Sequence, residues 1–479
     1  MRARRAVIRR RRVLAGAGIA VALVVAVILI TTGGKSAPPP LPLPGIGQPA
    51  KAGDPVAYVP ARESDFVTRA IAGSDHVLFV KSPGGALATA ARVAALRPQI
   101  DRAVAGSGFD PSMVEALVFV ESAGRPSVIA GNDPADASGL TQILASTGTS
   151  LLGMHIDLKR SRRLTGQIDV AAARGQDARV ARLQRARAKI DDRFDPSKAL
   201  AATVRYLRIA QQHLGRVDLA FESYHMGIGN LQRVLDLYDG GHAVPYPQLY
   251  FDTAPDHHPD AYRLISSFGD DSSLYYWRLL GAQRIMRLYR TERPALEREN
   301  ALQTATDSNA QVLHPPATTP AFANPDALDR AYAARAILPL PANAAQLGLR
   351  YDPGIGSLAH QVGATPALYR GLRPAALDML VALAARVRSL SNLPNSTLTV
   401  TSAVSDERYQ DRLGVADPPA AAGWSFTIAR RYANGAQAAA FQSMLDRLQA
   451  LNLIAWERFT PVIEITVAAD ASQALVHGP

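Results

Sequence analysis

Residues 13–30 carry no charge: they are a run of Val, Ala, Leu, Ile and Gly that follows seven arginines among the first twelve residues. The run is near the roughly 20 apolar residues needed to cross a bilayer, and the arginine flank belongs on the cytoplasmic side. Residues 1–12 therefore read as a cytoplasmic basic tail and 13–32 as a single transmembrane anchor, with everything after them outside the cytoplasm. The alternative is a cleaved signal peptide, whose apolar region is usually only about 7–15 residues. The chain has no cysteine, which excludes both a lipid-modified cysteine and any disulfide. Residues 33–62 include PPPLPLPG; such a stretch cannot build a core and reads as a stiff, extended linker.

The formal charge of +11 comes from 52 basic and 41 acidic residues, and the tail accounts for seven of the basic ones, so 45 face 41 in the remainder. A surplus that small and dispersed argues against nucleic acid as a partner. The length left after anchor and linker is enough for two domains with proper cores.

The most informative stretch is 110–148. Asp110-Pro111 reads as a helix start, because Asp can accept from a free amide of the first turn and Pro suits the first helical position. Met113, Val114, Leu117 and Val118 then recur at helical spacing, and Glu121 falls on their stripe. Partial desolvation favours the neutral carboxyl and moves its pKa from about 4.3 toward neutrality. That makes Glu121 the candidate catalytic acid, with a side chain turned outward into water as the alternative. Glu115 projects roughly 120° away and reads as an ordinary solvated residue. Ala123-Gly124-Arg125-Pro126 ends the helix, and SGLTQI at 138–143 reads as the opening of a second helical segment.

Glu121-Ser122, SGLTQI, Thr147 and the later Ser223-Tyr224-His225-Met226-Gly227 resemble the successive motifs of the lytic transglycosylases related to goose-type lysozyme. In that family the usual forms are an ES pair, a GLMQ loop and an AYNAG-like segment. The resemblance implies a mostly α, lysozyme-like helical domain over 63–290. It makes Glu121 the acid/base, with Ser122 supporting the helix end beside it. Ser138, Gly139 and Gln142 would shape the glycan groove, Tyr224 would hydrogen-bond near the catalytic carboxyl, and Gly227 would lie along the substrate. Thr141 stands where Met is common and His225 where Asn is common, which bears on substrate contacts rather than on the chemistry.

Within this domain, two amphipathic segments before residue 108 read as helices packing against the 110–122 helix, the clearer one over 86–105. Residues 153–193 read as an insertion whose later part, with Arg174, Arg179, Arg182, Arg185, Arg187 and Lys189, is either a solvated face or a surface for anionic wall polymers or phospholipid headgroups. The Tyr- and His-rich stretch 242–262 reads as a groove rim. Its adjacent His257 and His258 do not share a helical face and no His-x-x-x-His accompanies them, so no metal site is expected. A helix over 275–290 closes the domain.

Residues 291–320 turn polar and Pro-rich and read as a second linker. Beyond it, 321–479 reads as an α+β domain with helices at 375–390 and 437–451 and strands at 397–401 and 462–467. TSA, Tyr409-Gln410, a Gly-containing strand, a helix and a final strand resemble the zinc D-Ala-D-Ala carboxypeptidases. Anchored on Gly423, that likeness puts Ala420, Thr427 and Glu464 at the zinc-ligand positions. Fewer than three ligands then remain, which implies a non-catalytic relative.

The implied activity is peptidoglycan lytic transglycosylation at the bond between N-acetylmuramic acid and N-acetylglucosamine. It needs one carboxylate and no cofactor, because the attacking hydroxyl belongs to the substrate, whereas most glycosidases need two. A lysozyme-type hydrolase would need a further base for water, for which Glu222 or Asp133 are the candidates. A membrane-tethered wall-binding scaffold would need none.

Overall fold

The computed structural model describes residues 53–306 and 309–476. The basic tail, the anchor and residues 33–52 of the first linker lie outside them. Among the described residues no helix is long and apolar enough to cross a membrane. The chain is mostly helical, with a small sheet in its C-terminal part, and divides into two compact units.

The first unit comprises 77–246 and 264–300. Its helices used here are α1 (Ala86–Ala94), α2 (Arg97–Val104), α3 (Pro111–Ser122), α4 (Leu158–Ala173), α5 (Asp177–Ala188), α6 (Pro196–Leu214), α7 (Val217–Met226), α8 (Ile228–Asp239) and α9 (Tyr275–Thr291). α3 is the central one. Asp110 caps it by accepting from the Ser112 amide at 2.8 Å, Pro111 occupies its first turn, and Ala123 ends it in the left-handed region. Val114, Ala116, Leu117 and Val118 are fully buried, each large one worth about 1.5–3 kcal/mol. α1, α2 and α9 pack around it, so the expected 86–105 helix is two, with Pro98 in the first turn of α2.

Glu115 corrects an expectation. It is fully buried, ion-paired to Arg290 of α9 and 3.5 Å from Arg97 of α2. The α3 face it occupies is covered by two helices that each bring a guanidinium. The insertion is a helical hairpin of α4 and α5 turned at Gly175. Arg174, Arg179, Arg182, Arg185 and Lys189 are exposed or half-exposed, but Arg187 turns inward, donating to Thr165 Oγ1 (2.8 Å) and the Ser127 carbonyl (3.0 Å) with its guanidinium over the Phe194 ring. Burial holds its pKa down at about 10.

The second unit takes in the described residues of 53–76, 247–263 and 301–476. Its five-stranded sheet runs β2 (Leu349–Tyr351), β4 (Leu398–Ser402), β5 (Ser425–Ala429), β7 (Val462–Val467), β6 (Ile454–Arg458), with β2 parallel to β4 and the rest antiparallel. A separate pair joins β1 (Leu338–Pro339) to β3 (Gly371–Leu372). Helices α10 (Pro374–Ser391) and α11 (Gly435–Ala450) pack on each other and on the sheet; Leu380, Leu383, Val387, Phe441 and Leu445 of the helices and Ile428 and Ile465 of the strands are all buried. Residues 53–76 belong here because Phe66 packs between Tyr58 (5.4 Å) and Phe251 (5.1 Å). Arg447 of α11 also binds Asp54 (3.0 Å) and the Val56 carbonyl (2.9 Å). The stretch read as a second linker carries the helices Arg293–Gln303 and Ala310–Leu313, with Leu296 and Leu313 buried.

Candidate active site

Glu121 sits in the last turn of α3, partly exposed at the end of a buried stripe. Burial pushes its carboxyl up to about 7, against a hydrogen bond from Tyr275 that lowers it. Tyr275, at the start of α9, donates from its hydroxyl to Glu121 Oε1 at 2.6 Å and is itself buried. The exposed His225 stacks on the Tyr275 ring, centroids 5.2 Å apart. Nothing in the periodicity of 275–290 singles out Tyr275; the only sequence signal is a Tyr-Tyr-Trp run with hydroxyls that need partners.

Tyr224 approaches the same carboxyl by another route. Its hydroxyl donates to the Thr141 carbonyl at 2.8 Å and lies 3.3 Å from Thr203 Oγ1. Burial and then the charge of Glu121 push its pKa up. α6 supports it: the Tyr206 ring meets Tyr224 edge-on at 5.1 Å, and the Tyr206 hydroxyl donates to the Ser223 carbonyl at 2.6 Å. Tyr224 thus ties the 138–143 loop to α7, while the direct hydrogen bond to Glu121 comes from Tyr275.

That loop is not the start of a helix, as its sequence suggests. Gly139 has φ +82° and Gln142 φ +51°, left-handed values that a helix does not contain. A Cβ on Gly139 would stand 1.8 Å from the Arg193 carbonyl oxygen, so no other residue fits. Ser138 is buried, bridges Ile129 and Ile143 through its backbone, and donates to the Asp136 carbonyl at 3.0 Å. Gln142 folds its amide back onto the carbonyls of Gly139 (2.8 Å) and Val128 (3.3 Å). These two residues therefore brace the loop. The helix that follows is only Ala145–Ser150.

The keystone is Arg193, fully buried and unmarked in the sequence. It pairs with Asp191 (2.8 Å) and donates to the carbonyls of Asp136 (3.1 Å) and Ile143 (3.2 Å). Ser122 is buried with its hydroxyl 3.3 Å from the Val118 carbonyl. Gly227 takes φ +87° between α7 and α8.

Neither further carboxylate is placed as a ready base for water. Glu222 is fully buried, accepts from the Tyr276 amide at 2.9 Å, and is pushed well up by burial. Asp133 is half-exposed, held by Arg162 at 2.8 Å and pushed below its ordinary value by that bond. The aromatic rim expected over 242–262 is corrected in part, because Tyr246 and Phe251 are fully buried in the cores of their respective units.

In the sheet unit, Thr427 pairs with Glu464 across β5 and β7, and its hydroxyl lies 2.6 Å from Thr401 Oγ1 and 2.8 Å from Ser402 Oγ. Burial and then neighbouring Asp417 push the Glu464 carboxyl up. Ala420 has no ligand atom and the Thr427 hydroxyl is engaged by other hydroxyls, which leaves Glu464 alone where a catalytic zinc takes three protein ligands.

No family model, no curated protein and no solved structure matches this chain.

Proposed function

We propose that the chain is a membrane-anchored peptidoglycan lytic transglycosylase whose acid/base is Glu121. The observation that carries this is a carboxyl at the partly open end of an apolar helix, with its pKa raised to about 7 and one oxygen bonded by Tyr275. A general acid works best with a pKa near the operating pH. With Tyr275 on Oε1, the proton is carried by Oε2. It passes to the glycosidic oxygen between N-acetylmuramic acid and N-acetylglucosamine as that bond to the muramic anomeric carbon breaks. The resulting carboxylate takes the proton of the muramic C6 hydroxyl, whose oxygen bonds to the same carbon and leaves an anhydro-muramic end. The glycan strand is the substrate, and no cofactor enters these steps. A fully buried Glu222 and an Arg-bound Asp133 support the internal hydroxyl over water as the nucleophile. The sheet unit, with its donors unfit for zinc, is proposed to be a non-catalytic companion.

The test is digestion of peptidoglycan by the purified full-length protein, with products read by mass spectrometry. Anhydro-muramic ends from the wild type, falling at least a hundredfold in Glu121→Gln, are expected. Reducing ends would make the protein a hydrolase, and no release by the wild type would leave a wall-binding scaffold.

A further inference from the structure

In the second unit, a turn between the helices Tyr246–Phe251 and Pro259–Ser267 gathers two histidines and a carboxylate that the Glu121 chemistry does not use. We propose that Asp252, His257 and His258 form a binding site for a divalent transition-metal ion. One ligand atom from each lies within 4.8 Å of the other two. Nδ1 of His257 is 3.6 Å from Oδ1 of Asp252, and Nε2 of His258 is 3.8 Å from Oδ2. Tetrahedral zinc, with bonds of about 2.0–2.2 Å, sets its donors about 3.3–3.5 Å apart. Small side-chain rotations close that difference.

Adjacent side chains ordinarily diverge, which is why the sequence pattern alone argues against a metal. Here neither histidine is on a helix, and His258 takes φ +50°. That reversal brings the two rings to 4.4 Å at 86°. A left-handed φ in a residue with a Cβ is strained and persists when its surroundings impose it. The surroundings do. Ala254 and His257 exchange backbone hydrogen bonds of 2.7 and 3.1 Å. The buried Arg386 grips Asp256 through two 2.7 Å bonds. Arg447 donates to the carbonyls of Phe251 (2.6 Å) and Thr253 (3.0 Å). Nδ1 of His257, which donates to the Asp252 carbonyl oxygen at 2.7 Å in the metal-free turn, gives up that bond and its proton when it turns to the ion. Ligands held on a braced turn lose little freedom when they close on an ion.

Two imidazoles and one carboxylate select zinc, nickel or copper over calcium or magnesium. Three protein ligands leave a fourth position to water, and partial exposure keeps the ion exchangeable. Bound metal staples the turn and raises the stability of the folded chain by mass action.

The experiment is calorimetric titration of zinc chloride into the full-length protein in detergent, freed of metal with a chelator, in millimolar magnesium. One zinc per chain with a micromolar or lower Kd is expected, together with a rise in melting temperature. Asp252→Asn and the double variant His257→Gln/His258→Gln should each weaken binding at least tenfold while still melting cooperatively without metal. Absence of zinc binding in the wild type, displacement of zinc by magnesium, or equal binding in the double variant would overturn the proposal.

Discussion

Tyr275 and the protein around Glu121 pull its proton affinity in opposite directions. Burial raises it, and the 2.6 Å bond from Tyr275 favours the charged form and restrains the rise. Tyr275→Phe removes the restraint, so the pKa of Glu121 climbs further. The alkaline limb of the kcat/KM profile, on which the acid form is lost, should then move to higher pH. At pH 6 the rate should fall roughly ten- to a hundredfold, because an oriented bond to a charged group is worth about 1.5–3 kcal/mol. A limb that stayed in place or moved toward acid would remove Tyr275 from the mechanism. Glu121 is legible in the sequence because its place on the α3 stripe is a local property. Tyr275 is not, since its partner lies 154 residues away and a helical tyrosine reads as core. Glu115 misleads for the same reason, as Arg97 and Arg290 come from other helices.

At the scale of elements, the four segments of the C-terminal part with a clear period are legible to within a residue or two: 375–390 is Pro374–Ser391, 397–401 is Leu398–Ser402, 437–451 is Gly435–Ala450 and 462–467 is Val462–Val467. Their periodicity is imposed by a core face that the sequence itself displays. The helix Pro325–Ala333 and strands β1, β2, β3 and β6 are not legible in this way. The 138–143 loop reads wrongly as helical because its shape is imposed by Arg193, whose backbone leaves no space beside Gly139. Gly139→Ala therefore faces both a backbone collision at 1.8 Å and a φ of +82°. It should lower stability in urea unfolding by about 2–4 kcal/mol and abolish glycan cleavage. Gly166→Ala is the control, since this glycine of α4 has open space around its missing Cβ. That change should stabilise by about 0.5–1 kcal/mol. A Gly139→Ala protein as stable and active as the control would show that the loop does not need its observed shape.

Over the whole molecule, Pro-rich and polar punctuation marks where regular structure pauses but not which core a segment joins. That is decided by contacts such as Phe66 with Phe251 and Arg447 with Asp54, which assign 53–76 and 247–263 to the sheet unit. Both units share one electrostatic habit. Burial raises Glu121, Glu222 and Asp270 in the helical unit, and Asp378, Asp417 and Glu464 in the sheet unit. A carboxyl with a raised folded-state pKa contributes stability that is complete below the ordinary carboxylate range and is lost as pH climbs through the raised value. Asp133, Asp192 and Asp256, which are held low, lose their contribution only in acid, so they are constant above pH 6. The melting temperature should therefore fall between pH 6 and pH 9, each tenfold difference in proton affinity between the folded and unfolded chain being worth at most about 1.4 kcal/mol. Glu464→Gln, which keeps the shape without the charge, should flatten that fall and gain stability over the wild type as the solution becomes alkaline. A melting temperature that rose over this range, or a Glu464→Gln slope parallel to the wild type, would mean that these carboxyls are already ionised in the folded chain.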